Sequence, residues 1–266
     1  MPYPFSYFQN LFPFRRAFEQ RRLLSWPQLL FTWVFLLALT CIPVSWTSLQ
    51  RTSYPLEQLV PQAYRVFDQE QVEKMAATGI TFNQGQTTIS QKTSWQVGED
   101  WIVIGEEAPQ SSAFVWEFRE DDARLLQSNQ EVARLSYDTL ETKDLGSSTT
   151  WIQALDQAWF ESNRLVISLF VLALSWGLLS LNFFLLTLGS AALLFLVSKS
   201  RFNSLQGFKE AFHIILYSLG VPTLMTCLLG LLGLDLATSV LVQNSLFLLT
   251  LALVFYQTQF RDHQGE

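Results

Sequence analysis

The chain is poor in the residues that most often carry chemistry. It holds only two cysteines and two histidines in 266 residues. Cys41 and Cys227 both lie in apolar runs, so the polar part of the chain is not built on disulfides, and the redox compartment stays open. With His213 and His263 alone, a histidine-based metal site is not expected. There is no GxSxG, no HExxH, no Walker glycine loop and no GxGxxG. Without a nucleophile–base or metal set, no enzyme activity and no cofactor are expected. Charge is itself scarce over residues 23–50 and again over 165–258.

What is present is apolar and segregated. Long uncharged runs rich in Leu, Phe and Trp mark a membrane protein rather than a soluble one. Between Thr47 and Asn163 there are 18 acids and 8 basic residues, a net charge of -10 within a chain whose total is -6, so the remainder is basic. An acidic loop argues against nucleic acid as a partner.

The N-terminal segment sets Phe5, Phe8 and Phe12 at helical spacing before Pro13, then adds Arg15, Arg16, Arg21 and Arg22 against one acid, Glu19. Two readings stay open. It is an interfacial helix on an anionic leaflet, or the arginines only set topology. Pro27 to Trp46 is long enough to span, with Trp26 and Trp46 at interface positions. No small-x-small cleavage site follows it, so it reads as a retained span.

Within the acidic loop, a helix is expected over Gln69–Met75. Ile80 and Phe82 alternate into Asn83-Gln84-Gly85, with Thr87 and Ile89 beyond, which predicts a hairpin. Trp95 and Val97, the run Trp101–Ile104, the segment Ala113–Arg119, and Ala133, Leu135 and Tyr137 supply further short strands. In Ala113–Arg119, Phe114, Trp116 and Phe118 share one face and Glu117 and Arg119 the other. Thr150 with Gln153 three residues on has capping-box spacing, and nothing between Trp151 and Leu165 breaks a helix.

The run Leu165–Ser198 contains no charge and is bracketed by Arg164 on one side and Lys199 and Arg201 on the other. As one helix it would be about 50 Å long against a hydrocarbon core of about 30 Å. If it crosses once, Arg15, Arg16, Arg21, Arg22, Lys199, Arg201 and Lys209 share one side and the acidic loop takes the other. If it crosses twice, the Lys199–Lys209 connection moves outside, against the positive-inside rule. Charge therefore favours one crossing, with the excess length absorbed by tilt or extension. Asn182 and Gly189 are where a bend would fall. Two further spans follow, about 211–233 with Gly220-Val221-Pro222 inside it, and 238–256.

Few polar residues fall inside the apolar runs. Asn182, Gln243 and Asn244 suit interhelical hydrogen bonds or the lining of a transport path, with the first the commoner use. Ala173/Gly177 and Thr187/Ala191 are small-xxx-small pairs suited to close packing. Glu210, His213 and Tyr217 share a helix face at the entrance of the third span and suit interfacial anchoring, a proton relay being less supported because no ionisable residue continues the path. In the loop, Trp95, Trp101 and Trp116 could stack on sugar rings, though sheet core is their commoner use.

This order of parts, with the segment FNSLQGFKEAFHIILYSLGVPTLM and its Phe208, Ala211, Tyr217 and Pro222, resembles the MalA-like, maltodextrin-utilisation-protein-like family of Gram-positive membrane proteins. The same segment is similar to the Yip-type membrane-protein superfamily. The resemblance implies a plasma-membrane location and an association with maltodextrin uptake, and supplies no catalytic residues. The expectation is an α-helical multi-pass membrane protein with four spans and an inserted extracytoplasmic α+β domain on a mostly antiparallel sheet. Residues 1–26 form a cytoplasmic interfacial segment, 27–46 the first span, 47–163 the extracellular domain, and 164–266 the helical membrane domain and tail, both termini being cytoplasmic. The expected partner is the lipid bilayer, with membrane transport subunits or an envelope ligand as further candidates.

Overall fold

The computed structural model describes residues 3–9, 11–83, 85–107, 109–110, 113–198 and 204–261. Lys199, Arg201 and His263 lie outside the described residues. The chain divides into two compact units, Arg51–Leu169 and a second made of Met1–Gln50 with Phe170–Glu266.

The Arg51–Leu169 unit is built on a sheet. After α4 (Gln69–Ala77), capped by the Asp68 side chain accepting from the Gln71 N–H, come β1 (Thr81–Asn83) and β2 (Gln86–Thr88), the expected antiparallel hairpin. Gly85 in its turn has φ of 83°, a left-handed conformation that glycine adopts without a steric penalty. A separate sheet runs β3 (Thr93–Val97), β4 (Asp100–Ile104), β5 (Phe114–Phe118), β6 (Asp122–Gln127), β7 (Gln130–Ser136), in that order.

That sheet is mixed, which corrects the expectation of a mostly antiparallel one. β4 and β5 are parallel, with Trp101 opposite Val115 and Ile104 opposite Phe118, and the other neighbours antiparallel. The period-2 pattern that reveals a strand is blind to its direction. The connection, residues 105–113, can reach back along a strand of about 17 Å because nine extended residues span about 30 Å.

One face of this sheet is the core. Ile102, Trp116, Phe118, Ala123, Leu125 and Leu135 lie on it and are almost fully buried. Rings stack through it: Tyr64 on Trp116 at 6.0 Å, Trp116 on Phe118 at 6.0 Å, and Phe118 beside Trp151 at 5.9 Å. Side chains of this size contribute about 1.5–3 kcal/mol each when buried. The opposite face is not simply wet. Val103, Val115 and Glu117 are also buried, and Glu117 pairs with Arg119 at 2.9 Å.

The other unit is helical. It begins with α1 (Phe5–Gln9) and α2 (Arg15–Glu19), two short pieces where one interfacial helix was a possible reading, and continues into α3 (Trp26–Gln50). The helix α5 (Ser148–Phe184) starts in the sheet unit and ends here. Its cap is one turn earlier than expected. The Thr150 N–H donates to Ser147 Oγ and the Ser147 N–H to Thr150 Oγ1, both at 3.2 Å, so Thr150 closes the capping box instead of opening it. After α5 one π-helical turn, Leu185–Gly189, leads into α6 (Ser190–Ser198) with no break in the helix. Then come α7 (Phe208–Leu231) and α8 (Leu236–Thr258), the second capped by Asp235 accepting from the Thr238 N–H.

Four helices are long and apolar enough to cross a membrane: Trp26–Gln50, Ser148–Val197, Phe208–Leu231 and Leu236–Thr258. Their neighbours fix their relative directions. Trp26 stacks on Phe212, and Pro43 lies against Gly230, so α3 and α7 run parallel. Trp176 donates to Ser45 Oγ, Trp33 to Thr187 Oγ1, and Phe195 meets Phe208, so the long helix runs antiparallel to both. α8 returns from Asp235 to bring Phe260 against Phe18. Arg15, Arg16, Arg21, Arg22, Lys209 and Arg261 therefore belong to one end of the bundle. A turn back inside 165–198 is not what the chain does.

Candidate functional site

Close packing draws the N-terminal segment into the helical unit. A Cβ at Gly220 would lie 2.6 Å from Tyr7 Oη and closer still to Leu11, and a Cβ at Gly230 would lie 2.6 Å from the Pro43 ring. Only glycine lets these neighbours approach. The Tyr7 hydroxyl donates to the Leu216 carbonyl at 2.8 Å, and its ring meets Tyr217 at 4.7 Å. Tyr217 in turn stacks on His213 at 4.6 Å.

Next to that stack in the chain, one turn back along α7, lies a charged cluster. Glu210 accepts from Arg21 Nε at 3.0 Å, from Arg22 Nε at 2.7 Å and from the Gln206 N–H at 3.2 Å. Arg21 is buried, Arg22 is largely exposed, and Glu210 is nearly buried. Arg21 also donates to the Phe18 carbonyl and lies 4.1 Å from the Phe18 ring centre. One carboxylate thus ties the entry of α3 to the first turn of α7. Glu210, His213 and Tyr217, expected to share a face suited to interfacial anchoring, are all buried. The ring nitrogens of His213 have no hydrogen-bond partner among the described residues.

The three amides of the long apolar helices are satisfied in two separate places. Asn182 and Asn244 exchange hydrogen bonds at 3.4 and 3.2 Å, joining α5 to α8. Gln243 is buried and donates to Thr223 Oγ1 at 3.2 Å, joining α8 to α7. Of the small-residue pairs, Thr187/Ala191 is buried, whereas Ala173 and Gly177 are exposed with nothing against Gly177.

The three tryptophans of the sheet unit do not form a common platform. Trp95 and Trp116 lie on its core face, donating to Gln71 Oε1 at 2.8 Å and to the Ala63 carbonyl at 2.7 Å. Trp101 lies on the opposite face and is half-buried. Arg65 forks onto the buried Asp100, with Nη2 at 2.7 Å from Oδ1, and the same oxygen accepts from the Phe114 N–H. The Tyr64 hydroxyl donates to Asp156 at 2.6 Å. Burial, reinforced by the Asp156 carboxylate, pushes the Tyr64 phenol far above its ordinary value; burial and the Asp122 charge do the same to Tyr137. Both remain neutral hydrogen-bond donors. Among the described residues no group of three or more His, Cys, Asp or Glu is placed to hold a metal ion.

No family model and no solved structure matches the chain. It is 36% identical over 265 residues to the maltodextrose utilization protein MalA of Streptococcus pneumoniae (strain ATCC BAA-255 / R6), and the alignment covers 98% of each chain. The chain belongs to the MalA family.

Membership of that family takes in both the sheet unit and the helical unit, because the match leaves almost nothing of either chain uncovered. It does not single out residues. The cluster at the basic end is only half legible in the sequence: Glu210 stands out on its helix face, whereas Arg21 and Arg22 read as topology signals. The available hint was arithmetic. Before Trp46 and after Asn163, acids are few, and Glu210 is one of five there against nine Lys and Arg. A lone acid in an apolar helix facing a surplus of arginines is a pairing signal.

Proposed function

We propose that the chain is an accessory or sensory membrane component of maltodextrin utilisation that acts through its sheet unit on the outside of the cell. In this reading the four long helices cross the plasma membrane, the basic end is cytoplasmic, and residues 51–163 face outward. The reaction, if the assembly catalyses or transports, belongs to its partners and not to this chain. The observation that supports this is the unbroken helical path from Ser148 to Val197, 50 residues long. A helix of that length ties a domain with its own aromatic core to the membrane with no flexible linker, which suits transmission of a contact rather than loose tethering. The link to maltodextrin comes from the relative's name, and the basic end is assigned to the cytoplasm by the positive-inside rule.

The test perturbs the helix and reads the partners. Leu165 is exposed, so Leu165→Pro breaks the helical path without emptying either core. The wild-type chain, extracted in mild detergent, is expected to bring down subunits of a sugar transporter, and Leu165→Pro is expected to impair growth on maltodextrin while still folding. Recovery of the chain alone, together with normal growth of the proline variant, would contradict the proposal and leave a membrane-organising role of the Yip kind as the better reading.

A further inference from the structure

Beside the Glu210 cluster, the N-terminal segment forms an open groove of about 750 Å³ lined by Ser6, Gln9, Arg16, Gln20, Arg22 and Leu23. Its charge is unbalanced. Glu19 also lines it but is taken by Arg15 at 2.6 Å. Arg16 donates to the Gln9 and Phe12 carbonyls at 3.4 and 3.3 Å and meets no carboxylate among the described residues. Arg22 shares the single charge of Glu210 with Arg21 and keeps about half of its side chain exposed. At one concave site, then, Arg16 has no carboxylate partner among the described residues, and Arg22 keeps exposed guanidinium surface beside its bond to Glu210. Arginine forks match the oxygens of a phosphate, and such charge-assisted hydrogen bonds are among the stronger ones.

The groove's surroundings select the source of that phosphate. Leu23 lines it and is exposed, and Phe5, Phe12 and Trp26, close in sequence to its lining residues, are exposed as well, on the segment that leads into a helix long enough to span. Aromatic and aliphatic side chains exposed beside arginines at such a position suit the boundary between acyl chains and headgroups. A soluble phosphate compound would gain nothing from them. We propose that this groove seats the headgroup phosphate of an anionic phospholipid, held by Arg16 and Arg22 while Leu23 and Trp26 meet its acyl chains. Because Arg22 also binds Glu210, the lipid would be coupled to the joint between α3 and α7. The inference rests on the membrane reading above.

Native mass spectrometry of the full chain in a neutral detergent, titrated with phosphatidylglycerol or phosphatidylcholine, tests it. The wild type is expected to bind phosphatidylglycerol roughly tenfold or more tightly than phosphatidylcholine, and Arg16→Gln and Arg22→Gln are each expected to lose most of that preference. Arg261→Gln, which removes a charge from the same end outside the groove, is expected to keep it. Equal loss in Arg261→Gln would show non-specific charge attraction and overturn the site, as would an unchanged preference in Arg16→Gln, an exposed substitution that does not threaten folding. Competition by glycerol phosphate at the same concentration as the lipid would reassign the groove to a soluble phosphate and overturn the lipid assignment. Failure of the chain to reconstitute into phosphatidylcholine vesicles would sink the membrane reading, and the proposal with it. Reconstitution without a lipid preference would sink the proposal alone.

Discussion

Replacing Glu210 by glutamine is the sharpest perturbation of the helical unit. The substitution keeps shape and removes the charge that two arginines share. Arg22 is largely exposed, so its pair is worth about 0–1 kcal/mol. Arg21 is buried, and stripping the partner from a buried ion costs about 3–5 kcal/mol. Arg21 retains the Phe18 carbonyl and the Phe18 ring, which offset about 1 kcal/mol of that. The net expectation is a loss of about 2–4 kcal/mol, which in a unit of this size lowers the melting temperature by about 5–15 °C. Cys41 and Cys227 are free and buried, so a thiol-reactive dye reports unfolding without any added label. In the double variant Arg21→Gln/Glu210→Gln the buried guanidinium goes with the carboxylate and only the exposed Arg22 loses Glu210, so the loss is expected to shrink well below the sum of the single effects. A Glu210→Gln protein melting within 2 °C of wild type, with additive double-variant behaviour, would refute the stabilising role given to the Arg21–Glu210 pair.

Three further outcomes follow from the packing and titration. Gly220→Val has no room against Tyr7 and Leu11 and should free the N-terminal segment, read as faster tryptic cleavage after Arg15 and Arg16; unchanged cleavage would mean that the close approach does not hold the segment. Gln243→Leu removes the hydrogen bond to Thr223, at a cost of about 0.5–2 kcal/mol; a lowered melting temperature with function retained fits a packing role, and lost function at unchanged stability would point to a transport path. Tyr64 and Tyr137 have folded-state values raised above the ordinary phenol value of 10.0, so their contribution is full below pH 10 and is lost as pH rises past it, because only the unfolded chain ionises there. Titration followed at 295 nm should show these two phenols ionising only together with unfolding, a result that their replacement by phenylalanine would remove.

How much of this was readable in the chain depended on which force sets each feature. The four apolar helices follow from the length of the uncharged runs and six of the seven strands from period-2 alternation or a short apolar run, all local signals, whereas β6 was not among the expected strands. That 165–198 runs on without turning back followed from where the arginines and lysines sit. The direction of β5 did not, because Phe114, Trp116 and Phe118 alternate identically in a parallel or an antiparallel ladder. The pairing of Arg21 with Glu210 joins residues 189 apart, and no local pattern encodes it. Trp95, Trp101 and Trp116 were visible as a set, yet only the register places two on the core face and one opposite. The start of α5 at Ser148 instead of Thr150 turned on which of several neighbouring hydroxyls caps the helix, a choice made by geometry alone.

In the proposed topology the helix from Ser148 to Val197 crosses the membrane once, with the sheet unit and the basic end facing opposite sides. Single cysteines introduced at Glu99 and at Ser204, in a chain with Cys41 and Cys227 replaced by alanine, test it with a membrane-impermeant maleimide. Glu99→Cys should label in intact cells, and Ser204→Cys only after permeabilisation. Labelling of Ser204→Cys in intact cells would contradict the single crossing and with it the placement of the sheet unit.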